Sequence, residues 1–242
     1  MKLIADTHTH TIAGGHAYST ITENCSAAAQ KGLRFLGITE HASSMEGAPV
    51  PLFFSNLKIL PEQMNSVWLL RGVELNIINF EGGVDLPAKI YEGLDWVIAS
   101  MHTICLPPSS KTEHTTAWLA IAENPGIDVI GHCGDPRFIF DFETVIPVFG
   151  QCGKIVEINT HSFRGRAGSL ANCTRIAELC ARHGVRVVVN SDAHFHNRIG
   201  DFDSALDMLA SIGFPNELII NADYDRFAAI AAEKSGRLFP AG

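Results

Sequence analysis

The chain has 242 residues, 46% of them hydrophobic and 18% charged, which excludes a disordered chain and gives enough length for one α/β barrel. Its formal net charge of −8 argues against a nucleic-acid binder, whose surface is normally basic, yet it leaves room for local positive charge at a metal site. The six Cys, at 25, 105, 133, 152, 173 and 180, contain no Cys-x-x-Cys pair, so neither a zinc knuckle nor a redox motif is expected, and scattered free thiols fit a reducing compartment.

The elements follow in order. Residues 3–5 open as a short apolar strand. Thr20 and Glu23 form a capping box that starts a helix running through Lys31 and stopping at Gly32. A second strand spans 35–39, and the Pro/Gly-rich stretch 46–51 is a loop. Strands three and four are 68–73 and 96–99, and 106–110 is another loop. A helix over 112–122 ends at Asn124-Pro125-Gly126. Strands five and six are 129–131 and 155–158. An amphipathic helix over 169–183 is closed by Gly184, and strand seven is 185–189. Helices at 203–212 and 225–234 finish the chain, with 218–220 between them as a candidate eighth strand.

Short, continuously apolar strands are buried on both faces, and their alternation with helices implies a wound parallel sheet or barrel, an α/β fold. Repeats, low-complexity tracts and linkers are lacking, so one domain over 1–242 is expected. No apolar run reaches the ~18–20 residues of a membrane helix, and no basic-then-apolar leader precedes the first motif. The chain reads as soluble and cytoplasmic, with no membrane partner, and a homo-oligomer is compatible with it.

Acidic and imidazole residues stand just past almost every strand. His8 and His10 follow the first, and His16 lies across the Gly14-Gly15 turn. His41, Glu74, His102 and His132 lie at or near the ends of strands two to five. Asp192 and His194 follow the seventh. Parallel strands of a β/α barrel all end on one face, where the active site sits. The His-x-His spacing in extended chain turns both rings the same way. Seven imidazoles and two carboxylates are too many for one ion and suit two or three ions of zinc, manganese or iron, with Glu74 the best bridge. Burying them without a cation would be costly.

The runs that carry these residues are Asp6-Thr7-His8-Thr9-His10-Thr11, His16-Ala17-Tyr18-Ser19-Thr20, Ile38-Thr39-Glu40-His41, Arg71-Gly72-Val73-Glu74, Gly131-His132, Glu157-Ile158-Asn159 and Ser191-Asp192-Ala193-His194. Together they resemble the PHP (polymerase and histidinol phosphatase) superfamily over nearly the full length, and most closely its YcdX-like phosphatases. The resemblance implies a distorted seven-stranded (β/α) barrel with three divalent ions, usually zinc. It assigns His8, His10, Glu74 and Asp192 to the first ion and Glu74, His102 and His132 to the second, with Glu74 bridging. His16, His41 and His194 would hold the third. His at position 16 fits the trinuclear phosphatase branch, since nuclease-type members often carry an Asp there. The chain departs from the family at Cys133, often Pro, and at Thr160-His161-Ser162-Phe163-Arg164. It also adds a His and an Arg in residues 195–198. These changes bear on the substrate rather than on the metals.

The implied activity is hydrolysis of small phosphate monoesters by a metal-bridging hydroxide, with Glu74, Asp192 and His194 as catalytic groups. His161 and His196 are both candidates for the leaving-group acid. Arg164 and Arg198 are placed to bind phosphate through their planar forks, with Arg137 and Arg166 as further candidates. Glu40 and Asp6 are candidate partners for imidazole N–H groups. His114 and His183, on helices, read as surface residues, and the Cys as core thiols, with Cys133 a candidate neighbour of the second ion. The rival readings are a histidinol-phosphate phosphatase, a PHP-type exonuclease, an amidohydrolase and a metal-binding regulatory module. An amidohydrolase often bridges its metals with a modified Lys after strand four, where this chain has Met101-His102.

Overall fold

The apolar runs fold as seven parallel strands: β1 (Ala5–Asp6), β2 (Phe35–Ile38), β3 (Val67–Asn76), β4 (Trp96–Ser100), β5 (Val129–Ile130), β6 (Ile155–Asn159) and β7 (Val187–Asn190). This computed structural model describes residues 1–240. The strands pair in sequence order into a nearly closed barrel. Between and after them come α1 (Ile21–Gln30), α2 (Pro51–Asn56), α3 (Ala88–Tyr91), α4 (Lys111–Glu123), α5 (Phe142–Gln151), α6 (Ser162–Gly165), α7 (Ser169–His183), α8 (Asp203–Ser211) and α9 (Tyr224–Ser235). None of the helices among the described residues is long and apolar enough to cross a membrane.

The two-residue period of the strands sorts side chains into two cores. Leu36, Leu69, Val97, Val156 and Val189 face outward and pack with helix residues such as Ala28, Ile121, Phe149 and Ile176. Phe35, Trp68, Leu70, Trp96, Ile98, Val129, Ile155 and Val188 face inward, and Phe227 and Ile230 of α9 pack against them as a floor. Further along the strands the inward positions become tiny. A Cβ on Gly72 would lie 2.5 Å from the Trp96 carbonyl oxygen, and one on Gly131 would lie 2.1 Å from Ser100 Oγ. Beyond this constriction the inward residues are buried and polar: Glu74, Ser100, Glu157, Asn159 and Asn190. The carboxyl end of the barrel therefore has an interior that needs polar or ionic partners.

The barrel closes between β1 and β7 by side chains rather than by a regular ladder. Thr9 bridges Ala193. Asn190 Oδ1 accepts from the Thr7 amide (2.8 Å) and hydroxyl (3.0 Å). Asn221 donates to the carbonyls of Ala5 (2.9 Å) and Val189 (2.7 Å) and accepts from the Val189 amide (3.2 Å). This buried amide acts as an inserted peptide unit. Asn221→Ala leaves three buried backbone groups without partners, an expected loss of about 3 kcal/mol, or about 10 °C in Tm. Thermal unfolding measures it, and a shift within about 2 °C would mean that the seam does not depend on Asn221.

The structure corrects several expectations. Residues 218–220 form no strand, because 3-10 turns flank Ile219 and only that residue bridges Val187. Strand β1 begins at Ala5; before it, the Ile4 amide donates to the Asn221 carbonyl while the Ile4 carbonyl accepts from the Arg34 and Phe35 amides. A short antiparallel strand, Gln63–Met64, pairs with the start of β3 through Asn65 and Ser66, both at positive φ as a tight hairpin turn requires. Helix α5, where no element is expected from the sequence, runs through Pro147. His114 is buried: its ring accepts from the Ser109 amide (2.8 Å) and meets the Ile139 carbonyl (2.9 Å), fastening the loop before α4. His183 is exposed, as expected.

Candidate metal centre

All nine strand-end residues meet at the carboxyl end of the barrel. Glu74, inward on β3, is the hub. Its Oε1 lies 2.9 Å from His132 Nε2 and 3.3 Å from His102 Nε2. Its Oε2 lies 2.8 Å from His41 Nδ1, 3.2 Å from His8 Nε2 and 3.6 Å from His10 Nε2. Each carboxylate oxygen thus serves a different group of imidazoles, as a bridging ligand must. Asp192 Oδ1 approaches His10 Nε2 (3.2 Å) and His8 Nε2 (3.7 Å). His16 and His194 bring their Nε2 atoms to 3.0 Å, and His102 and His132 theirs to 3.2 Å.

These contacts leave hydrogen-bonding capacity unused. His8 Nε2, both ring nitrogens of His10, His41 Nδ1 and Glu74 Oε2 are buried without a hydrogen-bond partner. Such orphans cost about 1–3 kcal/mol each unless something else satisfies them. Lone pairs converging from several imidazoles onto carboxylate oxygens fit divalent cations. Three triads have donor atoms within 4.8 Å of one another: His8, His10 and Glu74; His41, Glu74 and His102; and His10, His41 and His194. The first matches three of the residues assigned to the first ion. His41 reaches both other triads, so it stands between the sets to which the resemblance assigned His102 and His194.

The far nitrogens of four of the rings are held. His8 Nδ1 meets Glu157 Oε1 at 2.7 Å, His102 Nδ1 meets Asn76 Oδ1 at 2.8 Å, His16 Nδ1 meets the Gly14 carbonyl at 2.9 Å, and His194 Nδ1 meets the Asp192 carbonyl at 3.0 Å. A proton held on each of these nitrogens turns the other lone pair toward the centre. Glu157 does more than orient one ring. Its Oε2 accepts from the His132 amide (2.8 Å) and from Asn159 (3.1 Å), which also donates to Asp192 Oδ2 (3.1 Å). His132 (φ 25°) and Asp192 (φ 54°) occupy the left-handed region that non-glycine residues avoid, a strain that surrounding bonds must hold.

Glu157 and Asn76 emerge as orienting residues, in place of the partners expected from sequence. Asp6 touches no imidazole; it grips the Ser191 amide and hydroxyl and the Gly200 amide, fixing the turn that carries Asp192. Glu40 binds Thr11 through Oε1 and leaves Oε2 3.8 Å from His10 Nδ1, too far for a hydrogen bond. Cys133 belongs to the outer core, where burial pushes its thiol up.

Burial works against charge on Glu74, but His41, His8 and His102 hold its carboxyl well below the usual range. Burial lowers His41 to about 3 and His132 and His194 to about 4, so these rings are neutral at neutral pH with lone pairs free for a cation.

A cleft of about 440 Å³ opens beside the centre, lined by His161, Arg164, Ser191, Asp192, His194 and Arg198 among others. The His161 ring lies 5.8 Å from that of His194. His196 is not brought there: it packs on Ser19 (3.0 Å) and faces Glu23 and Gln30 on another surface. Arg137 is engaged with Asp135 (2.6 Å), whereas Arg166 reaches to 3.8 Å from Asp192 Oδ2.

A profile of the PHP domain matches residues 6–161. The chain belongs to the PHP domain family. Over 238 residues this PHP chain is 42% identical to a probable phosphatase of Acetivibrio thermocellus, covering 98% of this chain and 99% of that one. It is 45% identical to a probable phosphatase of Caldanaerobacter subterraneus subsp. tengcongensis, covering 98% and 94%. Its structure resembles that of a histidinol phosphate phosphatase from Lactococcus lactis subsp. lactis, complexed with zinc, L-histidinol and phosphate. The TM-score is 0.65 and the identity 17%, covering 88% of this chain and 95% of that one, a likeness of fold. The PHP chain is an enzyme of the hydrolase kind, and its full-length relatives carry the name phosphatase.

Proposed function

We propose that the chain hydrolyses small phosphate monoesters at a centre of three divalent ions. The observation that carries this reading is Glu74, whose two oxygens face separate imidazole groups with His16 and His194 paired alongside. His8, His10, Glu74 and Asp192 would hold one ion, Glu74, His102 and His132 a second, and His16, His41 and His194 a third. Zinc suits so many imidazoles, and manganese and iron accept the same donors. Such ions supply a water that ionises near pH ~7 and positive charge for the phosphoryl oxygens.

The protein's own groups do the rest. Glu157, Asn76 and the Gly14 carbonyl aim the rings. Asp6 and Asn159 hold the Asp192 turn. Arg166 faces Asp192 from outside the cluster. His161 lines the cleft; burial lowers its pKa, and in this reading its imidazolium form would pass a proton to the leaving oxygen. A leaving group of low basicity needs no such proton. His161→Gln is therefore expected to cost about 10²-fold in kcat on an alkyl phosphate and far less on p-nitrophenyl phosphate. Equal losses on both would remove His161 from that role.

The reading as a whole is tested by turnover of p-nitrophenyl phosphate before and after metal depletion. Chelator-sensitive turnover restored by added zinc or manganese is expected. An undiminished rate in metal-depleted protein would refute the reading.

A further inference from the structure

The cleft beside the centre has a charge arrangement of its own. Arg164 and Arg198 both place NH1 on the same oxygen, Asp201 Oδ2, at 2.8 and 3.0 Å. Asp201 is itself tied down: its carbonyl accepts from Thr160 Oγ1 (2.8 Å) and its amide donates to the Arg198 carbonyl (3.0 Å). One carboxylate thus answers two guanidinium groups, leaving one positive charge uncompensated in a chain whose net charge is −8. Each Arg spends a single nitrogen on this contact, and about half of each side chain is exposed. The remaining N–H donors are free to meet an acceptor.

The same cleft is lined by two partly exposed aromatic residues. Tyr18 is 75% exposed and Phe195 41% exposed, and both line the cleft. The Tyr18 amide donates to the His194 carbonyl (2.9 Å), which ties the two backbone segments that carry these residues together. Exposed aromatic residues lining a cavity offer surface for an apolar body.

We infer that the preferred substrate is a phosphate monoester whose leaving group has a flat apolar body ending in a second acidic group, received by Arg164 and Arg198. This rests on the phosphatase reading above and narrows it. Its corollary is exclusion. A leaving group ending in an ammonium, such as that of histidinol phosphate, meets two guanidinium groups and one already engaged carboxylate. Like charges at close range discriminate against such a partner as strongly as new contacts favour the right one.

The test uses the metal-loaded enzyme and three substrates: phenyl phosphate, 4-(carboxymethyl)phenyl phosphate and 4-(aminomethyl)phenyl phosphate. The methylene spacer keeps the leaving oxygens similar in basicity, so the comparison reads charge. The expected order of kcat/KM is carboxymethyl above phenyl above aminomethyl, with about tenfold between the extremes and a smaller span in high salt. In R164Q/R198Q the ratio of the extremes falls toward one. R198Q alone gives an intermediate ratio and serves if the double variant melts early. A merely structural latch between α6 and the 195–201 loop would lower Tm without moving that ratio. Equal turnover of the two charged substrates, or an order that persists in R164Q/R198Q, overturns the inference while phenyl phosphate turnover leaves the phosphatase reading standing. If none of the three is hydrolysed, both fall.

Discussion

Glu74→Ala is expected to lose bound metal and activity together. The side chain is fully buried, and its two oxygens approach five imidazoles between 2.8 and 3.6 Å. Removing a group that only orients a metal ligand typically costs 10–100-fold, so removing a ligand shared by two ions is expected to cost about 10³-fold or more in kcat. Glu74→Gln separates charge from shape. The amide fills the same space but offers one acceptor oxygen and a donor pointed at nitrogens that already need a cation. It is expected to fold and to retain metal poorly. Metal content and p-nitrophenyl phosphate turnover on the same sample measure both effects. Full activity in either variant would mean that the cluster is not the seat of catalysis.

Glu157→Gln is the second large effect, although Glu157 lies behind the proposed ligands. One oxygen holds His8 Nδ1 and Asn190, and the other holds the His132 amide and Asn159. An amide can accept at only one of these ends. It breaks either the bond that fixes the His8 tautomer or the bond that holds the His132 backbone at φ 25°. The expected result is a 10–100-fold weaker metal affinity, with a matching fall in turnover at limiting metal. A chelator competition titration measures it. Excess metal is expected to restore much of the Glu157→Gln rate but little of the Glu74→Ala rate, because the ligands remain in the first and one is missing in the second. An affinity within twofold of the parent would show that Glu157 is structural filler.

The centre was legible because the chemistry repeats. A ligand-type residue after each apolar run is a pattern, and a parallel barrel gathers such residues without further information. The partners behind them were harder to see. Glu157, midway along β6, and Asn76, at the end of β3, are inward residues, and strand period alone could have turned them toward the site. Asp6, next but one to His8, was misread because adjacency in sequence says little about which face a side chain takes. His196 and His161 are equally near the site in sequence, and only packing on Ser19 separates them.

The fold was legible for a related reason, and its gaps have specific causes. Runs such as 96–99 and 187–189 are apolar at every position because both faces are covered, which no amphipathic helix would be. The closure at Asn190 and Asn221 was invisible, since a lone buried amide has no periodicity. Helix α5 contains Pro147, a residue that weakens a helical pattern read from sequence. His114 looked like a surface residue on a helix because its burial depends on the Ser109 loop and Ile139, both brought in by tertiary packing.

The central claim is that the nine residues form one multinuclear metal centre. Elemental analysis of protein purified without added metal and then loaded with zinc tests it most directly. Close to three ions per chain are expected, falling sharply in Glu74→Ala. One ion per chain, or none above trace, would contradict it.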